Sequence, residues 1–466
     1  MSNSVSRSGH LLNATILREY DIRGVVGETL NTADARAIGR AFAVVVAQAG
    51  GRRVAIGRDG RLSSPMLEAS LVEGLAEGGI DAVCIGLGPT PMLYYAVNTL
   101  EVDGGVMVTG SHNPADYNGF KLMLGKKSFF GADIQGLGRI AAAPPAPAPR
   151  RGVASEHQTV DAYLARLLAD YDGARPLHVA WDAGNGATGE VLQRLVAKLP
   201  GRHVLLNERI DGRFPAHHPD PTEAKNLVQL QEAVLQRGCD LGIAFDGDGD
   251  RIGVVDGDGR ILWGDQFMIV LAADVIRAQP GATIIADVKA SQVLFDEIAR
   301  LGGTPLMWRT GHSLIKTKMA EIGAPLAGEM SGHIFYADRY YGYDDALYAA
   351  VRLLGILGRD SDTLAAWRDR LPAVVNTPEL RFPCAESRKF AVIAEVRERL
   401  QRARAQMTDI DGVRVRTPDG WWLLRASNTQ DVLVARAEAR DPAGLDRLKA
   451  LLADQLRASG LEPPTF

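Results

Sequence analysis

Short apolar runs of strand length recur along this 466-residue chain, and three of them stop abruptly at dense polar loops. The runs are Gly105–Thr109 (GVMVT), Leu241–Phe245 (LGIAF) and Pro325–Ala327 (PLA). The loops are Thr109–Pro114 (TGSHNP), Asp246–Arg251 (DGDGDR) and Gly328–His333 (GEMSGH). An unbroken apolar run bounded by turn residues reads as a strand covered on both faces, the pattern of a mainly parallel sheet under helices. The segments upstream agree. Strand candidates at Arg53–Gly57 and Ala82–Gly86 flank helical spacing over Pro65–Gly78. His178–Trp181 leads into DAGNGATG and a helix; Thr283–Ala286 leads into DVKAS, a helix and then LMWRTGHS. GIDAVCIGLGPTPML and GGTPLMWRTGHSLI echo one another, each passing from an apolar run to a Thr and a Gly- or Pro-marked turn. Three α/β units of similar build are expected. Ligands of open α/β sheets bind at the carboxyl ends of strands, so the three loops can converge on one cleft.

At roughly 100–200 residues per domain, the length allows three or four domains. The stretch Ala141–Arg150 (AAAPPAPAPR) reads as an extended linker, because alternating Pro excludes helix and central strand. Asp256–Gly259 (DGDG) reads as a hairpin turn at the join of the second and third units. From about Leu371 the pattern changes to a long helix, Glu386–Arg404, with short strands at Gly412–Val415, Trp421–Leu424 and Val432–Ala437. The expected division is 1–155, 156–260 and 261–372 for three α/β domains and 373–466 for a smaller α+β domain.

Charge argues against some functions. The 52 basic and 56 acidic side chains leave a formal net charge of −4, with no basic bias toward nucleic acid. Cys84, Cys239 and Cys384 are too scattered for a disulfide framework or a zinc site. No stretch of about 18 uninterrupted apolar residues and no secretory leader is evident, so a cytoplasmic enzyme without a membrane partner is expected.

The middle loop carries the strongest chemical signal. Asp246, Asp248 and Asp250 place three mutually repelling carboxylates in five residues, with glycines between them that permit a tight fold. Such a set calls for a hard cation, Mg²⁺ or Ca²⁺. A calcium loop starting at Asp246 fails, since its sixth position is Arg251 and its twelfth Gly257. A dehalogenase-type phosphatase would use its first Asp as nucleophile early in the chain, whereas this loop is central and a separate nucleophile candidate exists. That candidate is Ser111, held on a turn by Gly110 and Pro114, with His112, Asn113 and Lys121 near in sequence. Alone, the same loop reads as an ordinary turn. Glu329 and Ser331 offer a carboxylate and a hydroxyl for sugar hydroxyls, and His333 an imidazole for proton transfer. Arg425, Ser427, Asn428 and Thr429 read as a phosphate clasp.

These four loops, in this order, resemble the α-D-phosphohexomutase superfamily, and within it the bacterial phosphomannomutase/phosphoglucomutase branch. The resemblance runs from Tyr20-Asp-Ile-Arg-Gly24 to the Arg425 loop. It implies four domains around a central cleft and reversible interconversion of hexose 1- and 6-phosphates, mannose or glucose, through a hexose 1,6-bisphosphate. It assigns Ser111 as phosphoserine and a further Mg²⁺ ligand beside Asp246, Asp248 and Asp250. It assigns Glu329 and Ser331 to the sugar, and Arg425, Ser427, Asn428 and Thr429 to the non-reacting phosphate. Arg23, Lys121, Arg251, Lys289, His312 and His333 match basic residues around the reaction centre, and Tyr20 a cleft residue. One departure stands out: Gln430 and Asp431 follow the clasp where the family commonly has an acidic or polar residue and then Pro. A monomer, or a dimer, is expected. The competing readings are an amino-sugar phosphate mutase, a phosphatase that passes the phosphoryl group to water, and a non-catalytic sugar-phosphate sensor.

Overall fold

The computed structural model describes residues 9–143, 148–428 and 430–463. Three mixed sheets follow one another, and each repeats the same order. In the first, the strand Arg53–Arg58 lies between Asp81–Leu87 and Gly104–Val108, parallel to both. Tyr117–Leu124 then returns antiparallel beside Gly104–Val108. In the second, Leu177–Asp182 lies between Gly201–Leu206 and Leu241–Phe245, and Ile252–Asp256 returns antiparallel. In the third, Thr283–Asp287 lies between Thr304–Trp308 and Leu326–Gly328, and Ile334–Tyr336 returns antiparallel. The two echoing segments fall on equivalent strands of this order, Asp81–Leu87 and Thr304–Trp308, each followed by a helix, Thr90–Thr99 or His312–Ile322. The repeat is therefore one of topology as well as of sequence.

The third parallel strand of each unit is wholly buried, which accounts for its apolar composition. Its only exit is the turn into the antiparallel return, and that turn is the polar loop in all three units. The Asp256–Gly259 turn closes the hairpin of Ile252–Asp256 with Ile261–Leu262. Its two central carboxylates differ: Asp256 is buried, and its Oδ1 accepts from the Asp258 and Arg260 amides.

One expectation for the Pro/Ala stretch changes. The helix Ala132–Ala142 runs into it, because Ala141 and Ala142 precede the first Pro and keep helical backbone. Residues 144–147 lie outside the described residues. The first sheet also continues past it: Ala154–Glu156 pairs in parallel with Asp81–Leu87.

The last sheet is antiparallel, built on Val413–Thr417, Gly420–Ala426 and Val432–Ala439, with the helices Glu386–Arg402 and Pro442–Arg457 packed on it. The opposite face of the sheet, with Arg414, Trp421, Leu423 and Arg436, meets the third unit. Arg414, nearly fully buried, donates to the carbonyls of Val288 (2.7 Å) and Ala290 (2.8 Å) and lies 3.7 Å over the Trp421 ring. One apolar core extends from the first unit through the second into the third, so these units are packed as one body. No helix among the described residues is long and apolar enough to cross a membrane.

Candidate functional site

The turns at the ends of the three central strands meet. Arg251 and His333 form a lone antiparallel bridge between the second and third loops, and the Ile252 amide donates to the Gly332 carbonyl at 3.0 Å. The first loop packs on the second so closely that a Cβ on Gly247 would stand 2.3 Å from the Ser111 carbonyl oxygen. Glycine is required there by the approach of the two backbones.

The second loop folds around one carboxylate oxygen. Asp246 Oδ1 accepts from the amides of Gly249 (2.9 Å), Asp250 (3.1 Å) and Arg251 (3.2 Å). Its other oxygen, Oδ2, accepts from Ser111 Oγ at 2.9 Å. Asp248 Oδ2 accepts from Thr90, from Thr109 Oγ1 at 3.1 Å and from Lys121 Nζ at 2.7 Å. Lys121 also donates to Asp250 Oδ2. Asp246, Asp248 and Asp250 are fully buried, with one oxygen of each within 4.8 Å of the others. Burial and the two neighbouring carboxylates push the Asp246 carboxyl well above its usual range. Burial acts the same way on Asp248, but the charge and hydrogen bonds of Lys121 outweigh it and hold that carboxyl low. Asp248 Oδ1 and Asp250 Oδ1 are buried and accept no hydrogen bond. A set of oxygen donors with two orphaned atoms fits a hard divalent cation.

Ser111 sits in the left-handed region, at φ +47°, and is almost wholly buried. For an L-residue that conformation costs about 1–2 kcal/mol, so neighbours must enforce it. Its amide donates to Thr109 Oγ1 at 2.8 Å, and His112 Nδ1 lies 3.3 Å from its Oγ. Arg23 donates to the Thr109 carbonyl at 2.8 Å from the neighbouring strand Ile22–Val25. The loop is thus gripped from several sides.

Toward the third unit, Arg251 Nε donates to His333 Nε2 at 3.0 Å. His333 Nδ1 faces Asp344 Oδ2 at 3.0 Å, and Asp344 Oδ1 accepts from Lys316 at 2.9 Å. An arginine Nε can only donate, so Nε2 is the unprotonated nitrogen of His333 and the ring proton belongs on Nδ1. The His312 ring stacks on His333 at 5.6 Å; burial and then the Lys316 charge hold its imidazole well below the usual range. Glu329 is buried and its Oε1 accepts from the Gly311 amide at 2.7 Å. Ser331 is half-buried beside it.

The Arg425 loop meets the third unit at Thr310 and the first at Tyr20. Arg425 Nε donates to Asp411 Oδ2 at 3.0 Å, and the Thr310 amide donates to the same oxygen at 3.0 Å. Asn428 Nδ2 donates to the Tyr20 hydroxyl at 2.9 Å, and that hydroxyl donates to the Thr310 carbonyl at 3.0 Å. Burial pushes the Tyr20 phenol up to about 12, so it stays a donor. Lys289 Nζ lies 2.9 Å from Glu379 Oε2. Ser427 is buried, and its Oγ accepts from the Gln430 amide at 3.2 Å. Thr429 lies outside the described residues. The Asp431 side chain is exposed.

Sequence reasoning passed over several contributors. Thr90, Asp344, Lys316, Asp411 and Glu379 reach the site from other elements, and only the fold makes them neighbours. Asp59 and Arg61 did carry a signal: Arg58-Asp-Gly-Arg61 is a polar run at the carboxyl end of the parallel strand Arg53–Arg58.

The chain is 45% identical to the phosphomannomutase/phosphoglucomutase of Pseudomonas aeruginosa over 96% of both chains. The chain belongs to the phosphoglucomutase/phosphomannomutase family. The three α/β/α domains of phosphoglucomutase/phosphomannomutase match residues 14–137, 160–259 and 263–374, and the C-terminal domain matches 379–455. A phosphoglucomutase of Neisseria gonorrhoeae is 43% identical over 93% of this chain and 95% of its own. A crystal structure of a phosphoglucomutase/phosphomannomutase family protein from Burkholderia thailandensis superposes with a TM-score of 0.92 at 43% identity, covering 97% of this chain and 100% of that one. The four-domain α/β build is thus the architecture of the phosphoglucomutase/phosphomannomutase family.

Proposed function

We propose that the chain interconverts hexose 1-phosphate and hexose 6-phosphate, of mannose and of glucose, by way of a phosphoserine at Ser111 and a hexose 1,6-bisphosphate. The observation that carries this reading is the hydrogen bond from Ser111 Oγ to Asp246, inside a buried three-carboxylate cluster that also holds Lys121. A serine so placed suits phosphoryl transfer, in which positioning and charge balance do most of the work. Relatives of 43–45% identity over nearly the whole chain are named for mannose and glucose enzymes, which favours those sugars over amino sugars.

Asp246, Asp248, Asp250 and Ser111 would hold Mg²⁺, which supplies charge neutralisation for the phosphoryl oxygens. Arg425, Ser427, Asn428 and Thr429, with Lys289, would grip the phosphate that does not react. Glu329 and Ser331 would orient the sugar hydroxyls, with Tyr20 and His312 closing the cleft around them. The free hydroxyl of the bound sugar phosphate attacks phosphorus in line, and the Ser111 Oγ–P bond breaks. His333 suits the proton-accepting role: Asp344 Oδ2 lies 3.0 Å from its Nδ1, and its Nε2 lone pair, which accepts from Arg251 Nε, becomes free for the sugar hydroxyl's proton when that arginine turns to the phosphoryl group. Lys121, engaged by two carboxylates, and Arg23 suit charge balance instead. The bisphosphate then turns over, and its other phosphate returns to Ser111.

On this reading the chain divides at 1–155, 156–260, 261–372 and 373–466, each part supplying one loop, and works in the cytoplasm as a monomer or dimer without nucleic acid or membrane. A coupled assay with mannose 1-phosphate, glucose 1-phosphate and the two amino-sugar 1-phosphates, primed with glucose 1,6-bisphosphate, tests it. Activity on the first two, loss of at least about 1,000-fold in Ser111→Ala, and silence in EDTA with recovery on Mg²⁺ are expected. Intact mass should show native protein about 80 Da heavier, the mass of one phosphoryl group. Full activity in Ser111→Ala would overturn the proposal, and stoichiometric phosphate release would make the chain a phosphatase.

A further inference from the structure

We infer that Arg61, capped by Phe214 of the second unit, is a positioning residue for phosphoryl transfer at Ser111. The inference rests on the reading of Ser111 as the phosphoryl carrier. The Arg61 side chain is fully buried, and each of its five N–H donors is used. Nε donates to Asp59 Oδ2 at 3.2 Å. One terminal nitrogen donates to the carbonyls of Ser111 (2.7 Å) and Asn113 (2.6 Å), the other to those of Pro114 and Tyr117 (2.9 Å). Asp59 completes the frame, because its Oδ2 also accepts from the Gly110 amide at 2.9 Å. The whole turn from 110 to 117 is therefore wound around one guanidinium, with its carbonyls drawn inward. That winding is what forces Ser111 to φ +47° and aims its Oγ outward at Asp246. A Cβ on Gly110 would stand 2.1 Å from Arg61 Nε, so the guanidinium also dictates glycine at 110.

The cap comes from the neighbouring unit. Phe214, itself at φ +51°, holds its ring 5.0 Å from the Arg61 guanidinium carbon. Gly212 lies against the Arg61 backbone; a Cβ there would be 2.6 Å from Arg61 Cα. The serine loop of the first unit is thus fixed by a residue that the second unit, owner of the three carboxylates, covers. Phosphorylation adds a charge of about −1.5 to −2 at Ser111 and dephosphorylation removes it. A loop with its carbonyls tied to a planar fork keeps its shape through that change. Lysine, with three donors on a tetrahedral head, cannot reproduce the fork.

The test compares wild type, Arg61→Lys, Arg61→Ala and Phe214→Leu. Arg61→Lys should lower kcat by about 10–100-fold, the scale of a small misplacement at a reacting centre. KM for glucose 1-phosphate should stay within about twofold, because the phosphate clasp belongs to the last unit. Phosphate on Ser111 after incubation with glucose 1,6-bisphosphate, read by intact mass, should fall in step with kcat. Millimolar guanidinium should restore part of the activity of Arg61→Ala and none to Arg61→Lys. Phe214→Leu, which leaves all five hydrogen bonds, should lower kcat by a few-fold with KM unchanged, and it decides the matter if the Arg61 variants do not fold. Wild-type kcat and phosphorylation in Arg61→Lys would overturn the inference, as would equal losses in kcat, substrate affinity and melting temperature across the folded variants. Absence of phosphate from Ser111 in wild type would instead overturn the reading on which it rests.

Discussion

Lys121 occupies the position a cation would want. Its ammonium touches Asp248 and Asp250, and those carboxylates, against the pull of burial, raise its proton affinity well above the usual range. In the absence of metal it relieves part of the repulsion among three buried carboxylates. A divalent cation bound there would compete with it for these carboxylates. Lys121→Met should therefore make the protein more dependent on metal for stability. The rise in melting temperature on adding Mg²⁺ should be larger in the variant than in wild type, while kcat falls by about 100-fold through lost charge balance in the transition state. Equal Mg²⁺-induced shifts in the two proteins would show that Lys121 does not compete for these carboxylates.

At the scale of elements, the strand-to-loop junctions were legible because a wholly buried strand has to be apolar and its exit has to be polar. Gly104–Val108, Leu241–Phe245 and Leu326–Gly328 announced their loops in this way. The acidic loop could be read for metal chemistry from its spacing alone. Ser111 could not: its strained backbone follows from Arg61, about fifty residues away, and its partner Asp246 belongs to another sheet. The Asp344–His333 contact was hidden likewise, since nothing local in the sequence pairs a helix-capping region with a loop of the same unit. Asp345 illustrates how much such a cap can matter. It caps the helix Ala346–Arg359 by accepting from the Tyr348 amide, and it accepts from the Tyr163 and Tyr340 hydroxyls as well. Burial outweighs these bonds and pushes its carboxyl from 3.8 up to about 6. The native state then keeps a proton that the unfolded chain gives up. Its contribution to stability is full below about pH 4 and is lost as pH rises through about 6, a swing on the order of 3 kcal/mol. Asp345→Asn has no charge to bury, so its melting temperature should fall less far below wild type at pH 8 than at pH 5. An equal gap at both pH values would mean that Asp345 titrates as an ordinary carboxyl.

Across the whole molecule, the last unit is attached in two unlike ways. Toward the third unit it presents a buried seam, with Arg414 on two backbone carbonyls, Arg436 against Asp265 at 3.2 Å, and Trp421 and Leu423 packed with Val288. Toward the first unit the link among the described residues is thin: the Asn428 amide on the Tyr20 hydroxyl, which is passed on to Thr310. On the proposed mechanism the clasp would release a bisphosphate and grip it again, pivoting on the seam and opening at the thin end. The two attachments should then fail differently. Tyr20→Phe removes one hydroxyl and should raise KM for sugar phosphates by about 3–10-fold, leaving the melting temperature within about 1 °C, because a single half-exposed hydrogen bond contributes about 1 kcal/mol or less. Arg414→Ala empties a buried, hydrogen-bonded site over Trp421 and should cost about 2–4 kcal/mol. It should also expose the junction near residues 371–379 to limited proteolysis. If Tyr20→Phe destabilised the protein as much as Arg414→Ala, the thin contact would be a structural weld rather than a latch, and the opening motion would have to be sought in the seam.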